Sequence, residues 1–255
     1  MTRLTTVADA QAAARRAARE LARLLRESLE RRGSAHIALA GGGTPRAAYE
    51  LLAGLLPDWS AVELWYGDER CVGPEDPESN HRLVAESLLS RIPGTPPCEH
   101  RIRGELGAEE AARSYEQELR SRVPPATAPR PSPGEPPSLP VLDVALLGIG
   151  EDGHTASLFP GHPEVSEESG ALCLAVHDAP KPPPDRVTLS VAMLHAARHS
   201  LLLATGSAKA DALAAALAGP DPQVPASLLT SGRLHVIADD AATPPAWRGQ
   251  AAAES

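Results

Sequence analysis

Short apolar runs typical of β-strands alternate with helical segments along most of this chain. HIALAGGG is followed by TPRAAYELLAGLL, which has helical periodicity, and VELWYGDE is followed by the helical segment ESNHRLVAESLLSRI. Further strand candidates are VLDVALLGIG, LCLAVHD, RVTLSV, HSLLLATG and LHVIAD, and further helical segments are AEEAARSYEQELRSRV and SAKADALAAALAG. Buried strands that alternate with helices form a mainly parallel sheet with helices on both faces, so the sequence predicts an α/β fold.

Domain organisation depends on one proline-rich stretch. A long amphipathic helix is predicted from Asp9 to Arg32, with Gly33 as its stop. Residues 124–140 read PPATAPRPSPGEPPSLP and cannot form a regular element, so they mark either a domain boundary or a surface loop. Because few strands precede this stretch and an apolar run follows it at once, we expect one domain over residues 1–255 with an extended loop. The tail after Asp240 is expected to be flexible.

Charge and cysteine content exclude several classes of protein. The chain has 24 Lys+Arg against 33 Asp+Glu, a formal net charge of -9, which argues against binding nucleic acid or an anionic membrane. An anionic small substrate would need a local cluster of cations. Cys71, Cys98 and Cys173 are far apart, so neither a disulfide framework nor a zinc site is expected. The N-terminal stretch lacks the apolar core of a signal peptide, which predicts a cytoplasmic protein; its arginines leave a transit peptide as the alternative.

A glycine-rich turn follows the strand predicted at the start of HIALAGGG. Ligands of parallel α/β sheets bind at the carboxyl ends of strands, where such loops begin. The backbone of Gly42, Gly43 and Thr44 is suited to approach a phosphate closely at a helix N-terminus, although a tight strand-to-helix turn needs the same glycines. The segment has neither GxGxxG nor GK[ST] spacing, so nucleotide binding is disfavoured.

Charged side chains follow the next strand, in YGDERCV. Arg70 is suited to bind a phosphate or a developing oxyanion, because its planar guanidinium donates two parallel hydrogen bonds. Asp68 is a candidate substrate ligand. The alternative is a salt bridge between Arg70 and Asp68 or Glu69.

The segment LGIGEDGHTASLFPG contains the candidate for acid–base chemistry. An imidazole titrates near ~6.5 and can take a proton from water at neutral pH, so His154 is the candidate general base. Asp152 is expected either to orient His154 or to bind a substrate hydroxyl. A metal site is disfavoured because no HxxxH or paired-cysteine spacing is present. A histidine that caps a short helix or satisfies a buried carbonyl is the alternative.

Two later loops add cations that an anionic substrate requires. Lys181 and Arg186 flank a rigid triple proline in APKPPPDRV, which favours an anion clamp. Lys209 follows a glycine where a strand meets a helix, again a geometry for phosphate. Solvated surface side chains are the alternative in each case.

Several motifs together identify a family. GGGTP, GDER, ESN, LGIGEDGHTASLFPGHP, PKPPPDRVTL and TGSAKA, in this order, resemble the 6-phosphogluconolactonases of the glucosamine-6-phosphate isomerase/deaminase-like superfamily, from about residue 9 to 240. The resemblance implies a Rossmann-like fold, no metal or nucleotide cofactor, and hydrolysis of 6-phospho-D-glucono-1,5-lactone in the pentose phosphate pathway. It also implies that His154 is the general base and that Arg70 and Lys181 hold the phosphate.

The chemistry of a lactone agrees with these residues, since a positioned water, a base and oxyanion stabilisation suffice. Backbone N–H groups of residues 150–153, or Arg70, are the expected donors to the oxyanion. The rival deaminase branch resembles DGHxxxxE at this loop, whereas this chain has Phe159 in place of the glutamate. A sugar-phosphate-sensing regulator is a second rival, but no basic helix-turn-helix segment is visible. We expect a monomer or weak homo-oligomer.

Overall fold

The computed structural model describes residues 2–125, 139–166, 168–230 and 233–248. Its strands are β1 (Arg3–Val7), β2 (Ala35–Leu39), β3 (Val62–Tyr66), β4 (Asp68–Arg70), β5 (Cys98–Glu99), β6 (Val144–Gly148), β7 (Cys173–Val176), β8 (Arg186–Leu189), β9 (His199–Ala204) and β10 (Leu234–Asp239). Its α-helices are α1 (Ala10–Arg32), α2 (Gly43–Leu52), α3 (Asn80–Ser87), α4 (Ala108–Arg122), α5 (Val191–His195) and α6 (Ala210–Ala218).

Seven strands form the central sheet, in the order β1-β10-β9-β6-β2-β3-β5. Every neighbouring pair in this sheet is parallel. All five side chains of β2 are buried, and since alternate side chains point to opposite faces, both faces of the sheet are covered there. The predicted α/β fold with a mainly parallel sheet is confirmed. Strand order reverses between β2 and β6, which is where ligands of such sheets bind.

The long helix α1 begins and ends where its sequence predicts. Asp9 caps it, because the carboxylate accepts a hydrogen bond from the backbone N–H of Ala12 at 2.7 Å. Gly33 ends it in the left-handed conformation, with φ of 76°. Leu21 and Leu25, four residues apart on one face, are fully buried against the sheet.

A second, antiparallel sheet has the order β4-β8-β7. The sequence predicted VELWYGDE as one strand, but the structure divides it at Gly67 into β3 and β4, which belong to different sheets. Gly67 donates its N–H to Leu39 O at 2.9 Å and accepts from Leu189 N at 2.8 Å, so one residue joins the two sheets. One glycine followed by Asp68 and Glu69 does not by itself indicate a change of sheet, which is why the sequence did not reveal the division.

The two ends of the proline-rich stretch lie next to each other in the structure. Pro125 and Pro140 form an antiparallel bridge, and Val141 donates its N–H to Pro124 O at 2.9 Å. The first strand after this stretch, β6, pairs with β2, one of the strands that precede it. Residues 126–138, which are most of the predicted loop, lie outside the described residues.

The segment after Asp240 is buried at residues 242–244, and most of residues 245–248 are exposed. Ala242 and Thr243 are fully buried, and the Thr243 hydroxyl donates to Asp239 O at 2.8 Å. Residues 249–255 lie outside the described residues, so the expected flexibility of the tail stays a prediction for them.

Two edge strands, β1 and β5, were not predicted from the sequence. No helix in the described part of the chain is long and apolar enough to cross a membrane.

Candidate active site

A cleft of about 370 Å³ opens at the carboxyl ends of β2, β6 and β9, beside the junction of the two sheets. It lies where the sequence analysis placed the ligand site. Of the predicted site residues, one does not line the cleft, Asp152, which lies behind His154. The predicted residues that line it are Gly42, Gly43, Thr44, Asp68, Arg70, His154, Lys181, Arg186 and Lys209.

His154 and Asp152 form a hydrogen-bonded pair at the cleft. Nδ1 of His154 lies 2.5 Å from Oδ1 of Asp152, and the backbone N–H of His154 donates to the same oxygen at 3.3 Å. A proton on Nδ1 leaves the lone pair on Nε2. Burial lowers the pKa of His154 below its ordinary value, although Asp152 acts to raise it. A neutral imidazole with one open nitrogen can accept a proton from water.

Gly150 makes room for this pair. A Cβ atom at Gly150 would lie 2.0 Å from Nδ1 of His154 and 2.3 Å from Oδ1 of Asp152. No side chain fits at that position while the pair keeps its geometry. The sequence indicated that Gly150 lies in a turn, but it did not indicate that Gly150 contacts the imidazole of His154.

The backbone N–H groups of this loop are partly used by the loop itself. Gly150 donates to His154 O at 2.8 Å, and Gly153 donates to Gly150 O at 3.1 Å. Residues 150–153 were predicted as oxyanion donors, and for Gly150 and Gly153 that prediction is wrong because both N–H groups are hydrogen-bonded within the turn. Arg70, the other expected donor, lines the cleft.

An aromatic ring fills the position at which the deaminase-like pattern has a glutamate. Phe159 is fully buried, and its ring centroid lies 4.8 Å from that of His154. The guanidinium carbon of Arg186 lies 5.6 Å from the same centroid. The ring therefore packs between His154 and the Arg186 guanidinium, and it supplies no proton-transfer group.

Two arginines lie side by side on adjacent strands of the small sheet. Arg70 of β4 and Arg186 of β8 are directly opposite in the antiparallel register. Arg186 is 4% exposed and donates to backbone oxygens of Lys181, Pro182 and Pro183 at 3.0–3.2 Å. Burial, and then the charge of Arg70, lower the pKa of Arg186. Like charges directly opposite are unfavourable, and an anion bound between them would relieve the repulsion.

The alternative of a local salt bridge for Arg70 is wrong in its expected form. Glu69 accepts hydrogen bonds from the backbone N–H groups of Asn80 and His81 at the start of α3, at 2.7 and 2.8 Å. Asp68 accepts from Ser157 Oγ at 2.7 Å. Arg70 instead donates to the Glu78 carbonyl, with the Glu78 carboxylate 3.8 Å away. Asp68 is thus held rigidly at the cleft wall and does not neutralise the arginine.

Asn80 is a cleft residue that the site prediction omitted. It is 2% exposed, donates to the Asp68 carbonyl at 2.8 Å, and packs so closely on Gly41 that a Cβ there would lie 1.9 Å from its Oδ1. That Oδ1 is buried and has no hydrogen-bond partner among the described residues. The ESN motif was the available signal, but helix capping explained it equally well.

The glycine turn presents a helix N-terminus to the cleft. Gly42 has φ of 96°, and α2 begins at Gly43 without a side-chain cap. Uncapped N–H groups and the helix dipole favour an anion at this end. Thr44 lies at the same end, with its hydroxyl 3.2 Å from that of Thr205.

The chain contains two lysines, and both line the cleft. Lys181 Nζ lies 3.9 Å from Asp152 Oδ2, and Lys209 Nζ lies 3.8 Å from Glu151 Oε1. Together with the arginine pair they form the local positive cluster that an acidic protein needs to bind an anion.

Fold and site together define an α/β protein whose cleft combines a cluster of cations with a histidine–aspartate pair. Residues 8–238 match the family described as glucosamine-6-phosphate isomerases/6-phosphogluconolactonase, and the chain belongs to this family. It is 39% identical to a 6-phosphogluconolactonase of Streptomyces coelicolor over 86% of this chain and 84% of the relative. A Mycobacterium tuberculosis 6-phosphogluconolactonase is 40% identical over 77% of this chain and 78% of its own. The Trypanosoma brucei 6-phosphogluconolactonase structure superposes with a TM-score of 0.82 at 28% identity, covering 95% of this chain and 97% of that one.

Proposed function

We propose that this protein hydrolyses 6-phospho-D-glucono-1,5-lactone to 6-phospho-D-gluconate, a step of the oxidative pentose phosphate pathway. The observation that carries the proposal is that one cleft contains both a half-buried histidine with an open nitrogen and a pair of arginines on adjacent strands. The first suits water activation and the second suits a phosphate group. The named relatives support the same substrate.

The phosphate would bind between Arg70 and Arg186, with Lys181 and Lys209 adding positive charge. Arg186 is fixed by three backbone carbonyls, so little freedom is lost when its guanidinium binds an anion. The N-terminus of α2, at residues 42–44, supplies uncapped N–H groups to the same anion or to a sugar hydroxyl. Asp68 would accept a hydrogen bond from a sugar hydroxyl at the cleft wall.

His154 would act as base and then as acid. Nε2 takes a proton from water, and the resulting hydroxide attacks the lactone carbonyl at C1. The negative charge that develops on the carbonyl oxygen is stabilised by the positive charges of the cleft. The bond between C1 and the ring oxygen then breaks, and the imidazolium returns its proton to that oxygen. Asp152 holds the imidazole and stabilises its charged form throughout.

The deaminase or isomerase alternative needs a proton-transfer group that this cleft lacks at the corresponding place. Phe159, which is buried against His154, occupies the position of the glutamate. Lactone hydrolysis does not need that group, because water is the nucleophile and the ring oxygen is the leaving group.

A coupled assay tests the proposed function. Freshly generated 6-phosphogluconolactone is supplied to the purified protein, and formation of 6-phosphogluconate is followed with and without EDTA. Glucosamine 6-phosphate is run in parallel. We expect lactone hydrolysis above the spontaneous rate under both conditions and no ammonia release. Ammonia release without lactone hydrolysis would overturn the proposal in favour of the deaminase branch.

The phosphate assignment has a separate test. A lost charge-assisted hydrogen bond is worth about 1.5–3 kcal/mol, so Arg186→Ala or Lys181→Ala is expected to raise KM about 10- to 100-fold for the phosphorylated lactone. Gluconolactone, which has no phosphate, serves as the reference substrate. Arg113→Ala, a surface arginine of α4 paired with Glu110, is the matched control. Equal effects on both substrates would contradict the assignment.

The monomeric or weakly oligomeric state, the absence of nucleic-acid binding and the cytoplasmic location stay predictions from the sequence.

A further inference from the structure

A group of metal-ligating side chains lies outside the cleft, on the edge of the central sheet. Glu63, Cys98 and His100 place a carboxylate oxygen, a thiol sulfur and an imidazole nitrogen within 4.8 Å of one another. None of the three lines the cleft. Glu63 is near the start of β3, whereas the cleft is at the carboxyl ends of the strands.

The backbone brings these residues together through strand register. Glu63 and Cys98 are direct partners in the parallel pair of β3 and β5. Residues two apart in an extended strand point to the same face, so His100 follows Cys98 on that face. The backbone N–H of His100 donates to Leu64 O at 2.8 Å and continues the ladder. The cluster is therefore built into the sheet and does not depend on a loop conformation.

His100 is oriented as metal-ligating histidines usually are. Its Nδ1 lies 2.6 Å from Oε1 of Glu118 on α4, and its Nε2 points to Glu63. A carboxylate on one ring nitrogen commonly fixes the tautomer of a histidine whose other nitrogen ligates a metal. Trp65 stacks on the ring with centroids 3.9 Å apart, and His100 is 2% exposed. The imidazole is thus held in place before any cation arrives.

We infer that Glu63, Cys98 and His100 form a binding site for a zinc-like divalent cation, with Glu118 as the outer carboxylate on His100. Nitrogen, sulfur and oxygen donors in one site are typical of Zn²⁺. The exposed side of Cys98 leaves a fourth position for water. The site clamps the two-residue edge strand β5 to β3.

Binding is an exchange of the cation for protons. Nε2 of His100 and Oε2 of Glu63 are 2.5 Å apart, and a hydrogen bond with one proton joins them. Zinc takes the place of that proton and of the thiol proton of Cys98, and both are released to solvent. Ligand atoms around a tetrahedral zinc with bonds of about 2.0–2.3 Å are separated by roughly 3.3–3.7 Å, so Glu63 must move outward by about 1 Å. Its partly exposed side chain permits this movement.

Cobalt spectroscopy of the full chain tests the site, because thiolate ligation gives Co²⁺ a sulfur-to-metal charge-transfer band. After EDTA treatment and dialysis, we expect one equivalent of Co²⁺ to produce this band in the unaltered protein. Cys98→Ser should abolish it, and Cys71→Ser, the matched control at a half-buried thiol, should retain it. Absence of the band in the unaltered protein, or its persistence in Cys98→Ser, would overturn the inference.

Zinc affinity tests the outer carboxylate. Competition with a chromogenic chelator should show about 10- to 100-fold weaker Zn²⁺ binding in Glu118→Gln, the usual cost of removing such a partner. Glu110→Gln, an exposed carboxylate on the same helix, should leave the affinity unchanged. Equal affinities in the unaltered protein, Cys98→Ser and Glu118→Gln would assign the cation to another place and refute the site. Circular dichroism of each variant checks its fold, and unchanged lactone hydrolysis separates this inference from the proposed function.

Discussion

His154 and His100 are both hydrogen-bonded to carboxylates, but the two histidines differ in the number of these partners and in their exposure to the cleft. His154 has one carboxylate partner, on Nδ1, and lines an open cleft. His100 has a carboxylate on each nitrogen and is buried under Trp65. A histidine can take a proton from water when one nitrogen is accessible and unpaired. The comparison shows that the number and placement of its carboxylates, more than their closeness, decide what an imidazole can do.

Removal of His154 gives the largest expected effect. His154→Ala is expected to lower kcat for the phosphorylated lactone by about 10²–10⁴-fold, the usual contribution of an acid–base group. Steady-state kinetics beside the unaltered protein measure the change. An unchanged kcat would show that Nε2 of His154 is not the base. The accessible nitrogen would then not distinguish His154 from His100 in function.

Gly150→Ala tests whether the position of the imidazole matters as much as its presence. The new Cβ would overlap Nδ1 of His154, so the ring must shift by an ångström or more. A misplacement of that size costs about 100-fold in rate. We expect kcat to fall accordingly while the melting temperature changes little. Gly73→Ala, where a Cβ meets nothing within 4 Å, is the control.

Asp152→Asn tests the carboxylate that is hydrogen-bonded to His154. Loss of a charge-assisted hydrogen bond worth about 1.5–3 kcal/mol should reduce kcat about 10- to 100-fold. The base acts when neutral, so kcat/KM falls as pH decreases through the pKa of His154, which burial places below ~6.5. Asp152 raises that pKa, so its removal should move the acid limb to still lower pH. A raised KM with an unmoved limb would instead assign Asp152 to a sugar hydroxyl.

The smallest expected effect on catalysis comes from the second histidine. His100→Gln, measured in metal-free buffer, should lower the free energy of unfolding by about 1–3 kcal/mol, because hydrogen bonds to Glu63 and Glu118 are lost. We expect kcat to stay unchanged, since none of these residues lines the cleft. Chemical denaturation and the coupled assay give the two values. A large loss of kcat without a loss of stability would show that His100 contributes to catalysis, which would contradict this comparison.

The sequence predicted the parallel sheet because its strands are continuous apolar runs, and it predicted α1 because its cap, its apolar stripe and its glycine stop agree. It missed β5, since two residues have no periodicity. It also missed the division at Gly67, because that depends on β8, which lies roughly 120 residues further along the chain.

Local motifs indicated most of the candidate site. His154, Arg70 and Lys181 occur in short segments whose chemistry is readable residue by residue. The opposition of Arg70 and Arg186 was not readable, because strand register across the small sheet creates it. Asn80 was missed for a similar reason: its contact with Gly41 joins segments that the sequence separates. Pairings of distant residues are set by tertiary structure, which a single sequence does not display.

The distribution of lysine has a practical consequence for handling the protein. Lys181 and Lys209 carry its only side-chain amines, and every other Lys+Arg position is an arginine. Reagents that couple to primary amines, used for immobilisation or fluorescent labelling, would therefore attach at the cleft and at the chain terminus. Lys181, with its side chain half exposed, would react before the more buried Lys209. Protection of these two amines would give a footprint of whatever occupies the cleft, read by mass spectrometry without any substitution.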